Sequence, residues 1–135
     1  MLEKNRSIDR VKGVAMQGLR TIIYPVSDLS AATVWYSQVF EVKPYFNEPF
    51  YVGFNIAGFE LGLVPDGESS TAGTVAFWGC TNIDAEFARI SLLGAITLEP
   101  PTDVGEGIKV AKLADPFGNC LGLIENPSFR ISDVR

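Results

Sequence analysis

The strongest constraint on the fold is that the chain runs twice through one succession of patterns: a strand, a helix, then a run of strands. From Leu19 to Val26 β-branched and aromatic residues favour a pleated backbone. Ser27 and Asp28 then offer caps for a helix over 29–40, where Leu29, Ala32, Trp35, Tyr36 and Val39 form an apolar stripe. A strand begins within 41–46, and strands over 50–56 and 59–64 flank an Ala57-Gly58 turn in which glycine supplies a positive φ. After the turn-rich linker 66–71 the succession repeats. Residues 73–78 read as a strand, Thr81 with Asp84 as a capping box for a helix over 82–93, Gly94 as its terminator, and 96–99, 107–114 and 119–125 as strands.

The expected fold class is therefore α+β: two βαβββ modules, 18–65 and 72–127, within one domain over 18–127. A single module buries too little of its sheet, so the two are expected to pack together and close around a shared cleft. Period-two alternation places Thr21, Ile23 and Pro25 on one face of the first strand, and Thr74, Ala76 and Trp78 on one face of its counterpart. The threonine-bearing faces are assigned to the cleft, because the more uniformly apolar sets suit the helices. Residues 1–17 are expected to be a flexible extension, with Met16 as a possible physiological start, and 128–135 a tail.

Charge and residue types remove several function classes. With 11 basic against 16 acidic residues and a net charge of −5, the chain has no basic surface for gripping nucleic acid. The acidic balance favours cationic ligands wherever acid lies near a pocket. There is no apolar run of about 18 residues and no signal-peptide core, so the expected location is cytoplasmic, away from membranes. Cys80 and Cys120 stand far apart in apolar settings and read as buried thiols rather than a redox pair. The absence of histidine excludes a Ser, His, Asp arrangement, and Gly105-Glu-Gly107 does not open a helix as a phosphate loop must.

Two stretches, Leu19-Arg-Thr-Ile-Ile-Tyr-Pro-Val-Ser-Asp-Leu29 followed by Ala32-Thr-Val-Trp-Tyr36, and Asp115-Pro-Phe-Gly-Asn-Cys-Leu-Gly-Leu-Ile-Glu-Asn-Pro127, resemble the vicinal-oxygen-chelate superfamily of glyoxalase I, extradiol dioxygenases and bleomycin-resistance proteins. The resemblance covers roughly residues 19–127. It implies metal ligands on the first and fourth strands of each module, positions that fall here on Thr21, Glu60, Thr74 and Gly122. Three of the four carry no imidazole or carboxylate, and one carboxylate alone is a poor site for a transition ion. Glu125, three residues beyond Gly122, is expected on the opposite sheet face as a surface or rim residue. No metal and no cofactor are therefore expected, and no catalytic residue is assigned.

The leading expectation is metal-independent binding or sequestration of a small hydrophobic or cationic aromatic molecule in the cleft, with a second copy of the chain as partner because the resembling proteins are typically dimers. The candidate ligand-binding residues are Thr21, Tyr51, Glu60, Thr74, Trp78, Lys109 and Gly122. Glu60 reads as a recognition group, a catalytic base, or a solvated relic. Tyr51 or Trp78 would give an aromatic lining a polar edge, and Lys109 lies beside a possible lid, 101–107. The alternatives are a divergent metal-dependent lyase or dioxygenase using Glu60, Glu125, Asp115 and Asp103, and a structural or regulatory protein whose aromatic cavity is closed.

Overall fold

Hydrogen-bonded pairing sorts the strands into two four-stranded sheets, each interrupted by one helix, in a computed structural model that describes residues 16–130 and 132. The first sheet comprises β1 (Thr21–Pro25), β2 (Phe46–Glu48), β3 (Tyr51–Ile56) and β4 (Phe59–Val64), in spatial order β1-β4-β3-β2. Helix α1 (Leu29–Phe40) links β1 to β2. The second sheet repeats this with β5 (Phe77–Gly79), α2 (Ile83–Leu92), β6 (Ile96–Gly105), β7 (Ile108–Ala114) and β8 (Cys120–Glu125), ordered β5-β8-β7-β6. In both modules the first and last strands pair in parallel and the rest are antiparallel. This is the doubled βαβββ plan.

Local chemistry explains most of the boundaries. Asp28 caps α1 by accepting the Ala31 N–H at 3.0 Å, and Glu41 ends the helix in the left-handed region. Ala57 and Gly58 both have positive φ (51° and 96°), the geometry of a two-residue turn that matches strand twist. Cap and strand limits differ from expectation in the second module. Asn82, not Thr81, caps α2, because its side chain accepts the Ala85 N–H at 3.1 Å. The strand expected over 73–78 is confined to 77–79, since β8 offers pairing only from Phe77 onward. The possible lid 101–107 is largely strand, because β6 continues through its prolines to Gly105 along the sheet edge.

The core occupies the helix-covered face of both sheets. Tyr24, Val52, Phe54, Leu61 and Leu63 pack under Ala32, Tyr36 and Val39 of α1, and Ala111, Leu113, Leu121 and Leu123 under Ile83 and Ile90 of α2. The modules dock along this same side. Trp35 Nε1 donates to Leu93 O at 2.8 Å, and Arg89 donates to Gln38 O and Val39 O at 3.0 and 2.6 Å, capping the end of α1. The Asp115-Pro-Phe-Gly-Asn segment supplies the central bolt. Asp115 Oδ1 accepts the N–H groups of Phe117 and Asn119, both at 2.8 Å, Oδ2 accepts the Tyr36 hydroxyl, and Asn119 Nδ2 reaches across to Pro25 O at 2.9 Å. A carboxylate this buried is tolerable only because each of its oxygens accepts such donors. Docking through the helix side leaves the other face of each sheet out of the core. The two modules pack together as expected of a cleft-forming fold of this class, and the sheet faces turned away from the helices remain open. Residues 1–15 of the expected extension, and 131 and 133–135 of the expected tail, lie outside the described residues.

Candidate functional site

The open face of the first sheet can be read from its register. Thr21, Glu60 and Asn55 lie side by side, Ile23, Gly62, Gly53 and Phe46 form the next row, and Tyr51 pairs with Glu48. Two glycines at the centre of paired strands leave a floor without side chains, where another group can approach closely. The Tyr51 ring occupies that space: a Cβ at Gly62 would come within 2.7 Å of Tyr51 Cζ and 2.8 Å of Cε1. At Gly53 a Cβ would lie 3.2 Å from Glu60 Oε2, Tyr45 Cε1 and Tyr51 Cε2 alike.

Glu60 is the centre of this face. The Tyr45 hydroxyl donates to its Oε1 and the Tyr51 hydroxyl to its Oε2, so one carboxylate is clasped by two phenols. The clasp holds both protons in place. Tyr51 ionises well above the usual tyrosine range, first because burial disfavours the phenolate and then because the carboxylate takes its hydrogen bond. Tyr45 is raised chiefly by the hydrogen bond to Glu60. Aromatic rings continue from Tyr51 to Phe46 (centroids 6.1 Å apart, planes tilted by 58°) and on to Phe50 (6.1 Å, 71°). Phe50 and Tyr45 are 66% and 63% exposed, so the rings form a wall open to solvent rather than a filled core. Among the described residues, no lysine or arginine pairs with Glu60.

Of the seven candidate positions the structure brings Thr21, Tyr51 and Glu60 together on this face. The other four lie elsewhere. Trp78 sits beside Leu123 on the helix-covered face, its ring 4.8 Å from that of Phe40 and its Nε1 donating to the Tyr24 hydroxyl at 3.3 Å. The alternation expected for this strand is one residue out, and Phe77, not Trp78, shares the face of Gly122. Thr74 is exposed and belongs to no strand. Gly122 is buried beneath the preceding segment, where a Cβ would meet Ala76 O at 2.7 Å and Phe77 Cδ1 and Val75 Cγ1 at 2.9 Å. Lys109 lies on the helix side and pairs with Asp84 Oδ2 at 2.7 Å, next to Glu125 across the ladder.

Glu125 does occupy the face opposite Gly122, where its Oε1 accepts the Ile83 N–H at the start of α2, at 2.8 Å. Sequence reasoning missed Tyr45 and the glycine floor. The two-residue turn at Ala57-Gly58 sets Gly53 opposite Gly62, so the floor was recoverable by pairing the strands outward from it. Tyr45 left no such signal, because it precedes β2 and is placed by its N–H bond to Gly53 O, at 2.9 Å, and by its hydroxyl's bond to Glu60.

The donors required for a transition ion are not assembled. Both Glu60 oxygens accept phenols, Gly122 has no side chain, and Thr74 is outside the sheets. Asp115 is consumed by the bolt, and Asp103 Oδ1 accepts the Gly105 N–H at 2.7 Å. Among the described residues no group of three His, Cys, Asp or Glu gathers at one point. The residues present do not fit the metal centre that the resembling enzymes carry. Cys80 and Cys120 are free thiols, and burial pushes Cys80 up to about 11, the opposite of nucleophile activation. An open depression of about 480 Å³ at the β2 edge, bounded by Leu29, Thr33, Val34, Asn47 and Pro49 among others, holds none of the seven positions. No helix among the described residues is long and apolar enough to cross a membrane.

Comparison with known proteins gives the same architecture. A glyoxalase-related enzyme from Fulvimarina pelagi superposes with a TM-score of 0.73 at 20% identity, covering 86% of this chain and 93% of that one. A glyoxalase/bleomycin resistance protein/dioxygenase from Nocardioides gives 0.66 at 17% identity, covering 98% and 99%. At such identities the likeness shows the fold alone. The cadmium-induced protein CadI of Mycobacterium tuberculosis and Mycobacterium bovis is 35% identical over 77 residues, 53% of this chain and 51% of the relative. The chain thus spans about half the length of the curated relatives it matches. The family model of the Glyoxalase/Bleomycin resistance protein/Dioxygenase superfamily matches residues 18–123, and with the doubled βαβββ plan this makes the chain a divergent member of that superfamily, without clustered metal-binding residues among those described.

Proposed function

We propose that the protein binds or sequesters a small hydrophobic or cationic aromatic molecule on the open face of its first sheet, without a metal. The carrying observation is the clasped carboxylate: Glu60 between Tyr45 and Tyr51 on a glycine floor, continuous with Phe46 and Phe50. Small-molecule sites are usually concave and mostly apolar with a few precisely placed polar groups; this face supplies the apolar lining and the polar group, and a covering second copy would supply the concavity. The negative charge selects for cations, and ring faces add to that preference. Thr21, beside Glu60, would contribute a hydroxyl at the margin. Trp78, Thr74, Lys109 and Gly122 are not used in this reading, because they lie away from that face.

A second copy is the expected partner. Exposed apolar side chains occur on the open faces of both sheets, Ile23 and Phe46 on the first and Phe77 and Ile96 on the second. Apposing the two faces between copies would roof the site and cover this surface. Light scattering coupled to size exclusion tests that arrangement, and a monomer at all concentrations speaks against it.

The binding reading is tested with N-methylacridinium, a fluorescent cationic aromatic without N–H donors. Its polarisation should rise on titration with the protein, and Glu60→Gln should weaken the interaction by about tenfold, the loss of one partly desolvated charge contact. Equal affinity of both proteins, or no polarisation change at any concentration, would count against it. The dye's own emission is the better reporter, since Trp35 and Trp78 both pack between the modules.

A further inference from the structure

Resting on the binding site proposed above, we infer that its ligands are onium cations, tertiary or quaternary ammonium groups carried on an aromatic or alkyl body, in preference to primary amines or guanidinium groups. The inference comes from what the clasp leaves available. Each Glu60 oxygen already accepts a phenolic O–H, from Tyr45 and from Tyr51. Oε2 also lies close over the floor, where even a Cβ at Gly53 would stand 3.2 Å away. The carboxylate can therefore supply charge more readily than it can supply further acceptor geometry.

A primary ammonium brings three N–H donors, and guanidinium five. At this face one lone pair remains on each Glu60 oxygen, so at least one ammonium donor and three guanidinium donors would be left without a carboxylate partner beside Phe46 and Phe50, and an unpaired donor removed from water is costly. A quaternary ammonium has no donors to satisfy. Its charge is spread over methyl groups that pack against ring faces, and rings hold such cations through their quadrupoles. The wall provides those rings: Tyr51, Phe46 and Phe50 are linked by tilted contacts at 6.1 Å, with Tyr45 on the other side of the carboxylate. Glu48, paired with Tyr51 on the same face, adds a second negative charge at the margin.

The experiment uses benzyltrimethylammonium, its uncharged carbon isostere neopentylbenzene, and the smaller benzylamine, which is also cationic at neutral pH. Binding to the full chain is followed by backbone amide NMR shifts of residues 45–53 and 60–62. Benzyltrimethylammonium should bind about tenfold tighter than either of the others, the scale of a partly desolvated cation–ring contact. Glu60→Gln should remove its advantage over neopentylbenzene. Phe46→Ala, an exposed substitution that keeps the carboxylate, should remove its advantage over benzylamine. If benzylamine binds as tightly as benzyltrimethylammonium at these residues, the onium preference is wrong while the binding reading survives. If none of the three probes shifts these residues, both fail together.

Discussion

Replacing Gly62 by alanine should open the tyrosine clasp while leaving the fold nearly as stable as before. Gly62 has no positive φ, so β4 accepts an L side chain there without backbone strain, and loss of a glycine stabilises by about 0.4–1 kcal/mol through the unfolded chain. The new methyl would stand 2.7 Å from Tyr51 Cζ and 2.8 Å from Cε1, whereas carbons rest at about 3.5–4.0 Å. The ring must therefore lift by about 1 Å, and its hydroxyl leaves Glu60. A hydrogen bond to a charged acceptor that water can replace is worth about 1 kcal/mol here, below the fully buried range. The two terms nearly cancel in global stability.

They do not cancel in the titration of Tyr51. All four tyrosines ionise above the usual 10.0, so the parent protein should show little tyrosinate as pH passes that value. In Gly62→Ala one phenol, freed from burial and from the carboxylate, should titrate near 10.0. The assay is tyrosinate absorbance against pH, with circular dichroism confirming the fold at each point and urea unfolding giving the stability. An unchanged absorbance curve, or a loss of several kcal/mol with no new tyrosinate, would show that Tyr51 does not rest on the glycine floor.

Asp115→Ala should cost at least about 3 kcal/mol in urea unfolding, because it strands two backbone N–H groups and the buried Tyr36 hydroxyl, each worth about 1–3 kcal/mol; a loss under about 1 kcal/mol would contradict the bolt. Lys109→Met should leave the melting temperature almost unchanged, since its partner Asp84 is largely exposed and such pairs contribute little; a large drop would mean that the pair orders α2. Stability should fall on the alkaline side: burial raises Cys80 from 9.0 to about 11 and Tyr24 from 10.0 to about 12, so the unfolded chain loses these protons first. Stability from Cys80 is complete below pH 9.0 and declines toward about 11, and that from Tyr24 declines between 10.0 and about 12. A melting temperature constant across this window, with no change in either residue's titration, would refute the burial of both groups.

What could be read in the chain itself was whatever depends on near neighbours. Asp28 could be read as the cap of α1 because it precedes an apolar stripe, and Ala57-Gly58 as a turn because Gly58 can take a positive φ; these features carried the doubled βαβββ order and the hairpin register. The missing imidazoles, the lone Glu60 and the displacement of Glu125 to the other sheet face were equally legible, since period-two alternation requires no partner. Period alone cannot say where a strand begins. Pairing with β8 starts β5 at Phe77 and turns Trp78 inward, and the helix-side docking of the modules decides that Lys109 serves α2 and that Asp115 joins the two halves. Tyr45 reaches Glu60 from just before β2, placed by its backbone bond to Gly53 on the neighbouring strand, by its hydroxyl's bond to Glu60 and by the empty space above two glycines. Local backbone preference thus determined the elements and their order, while the choice of face and partner was settled by burial and hydrogen bonding between segments that are distant in sequence.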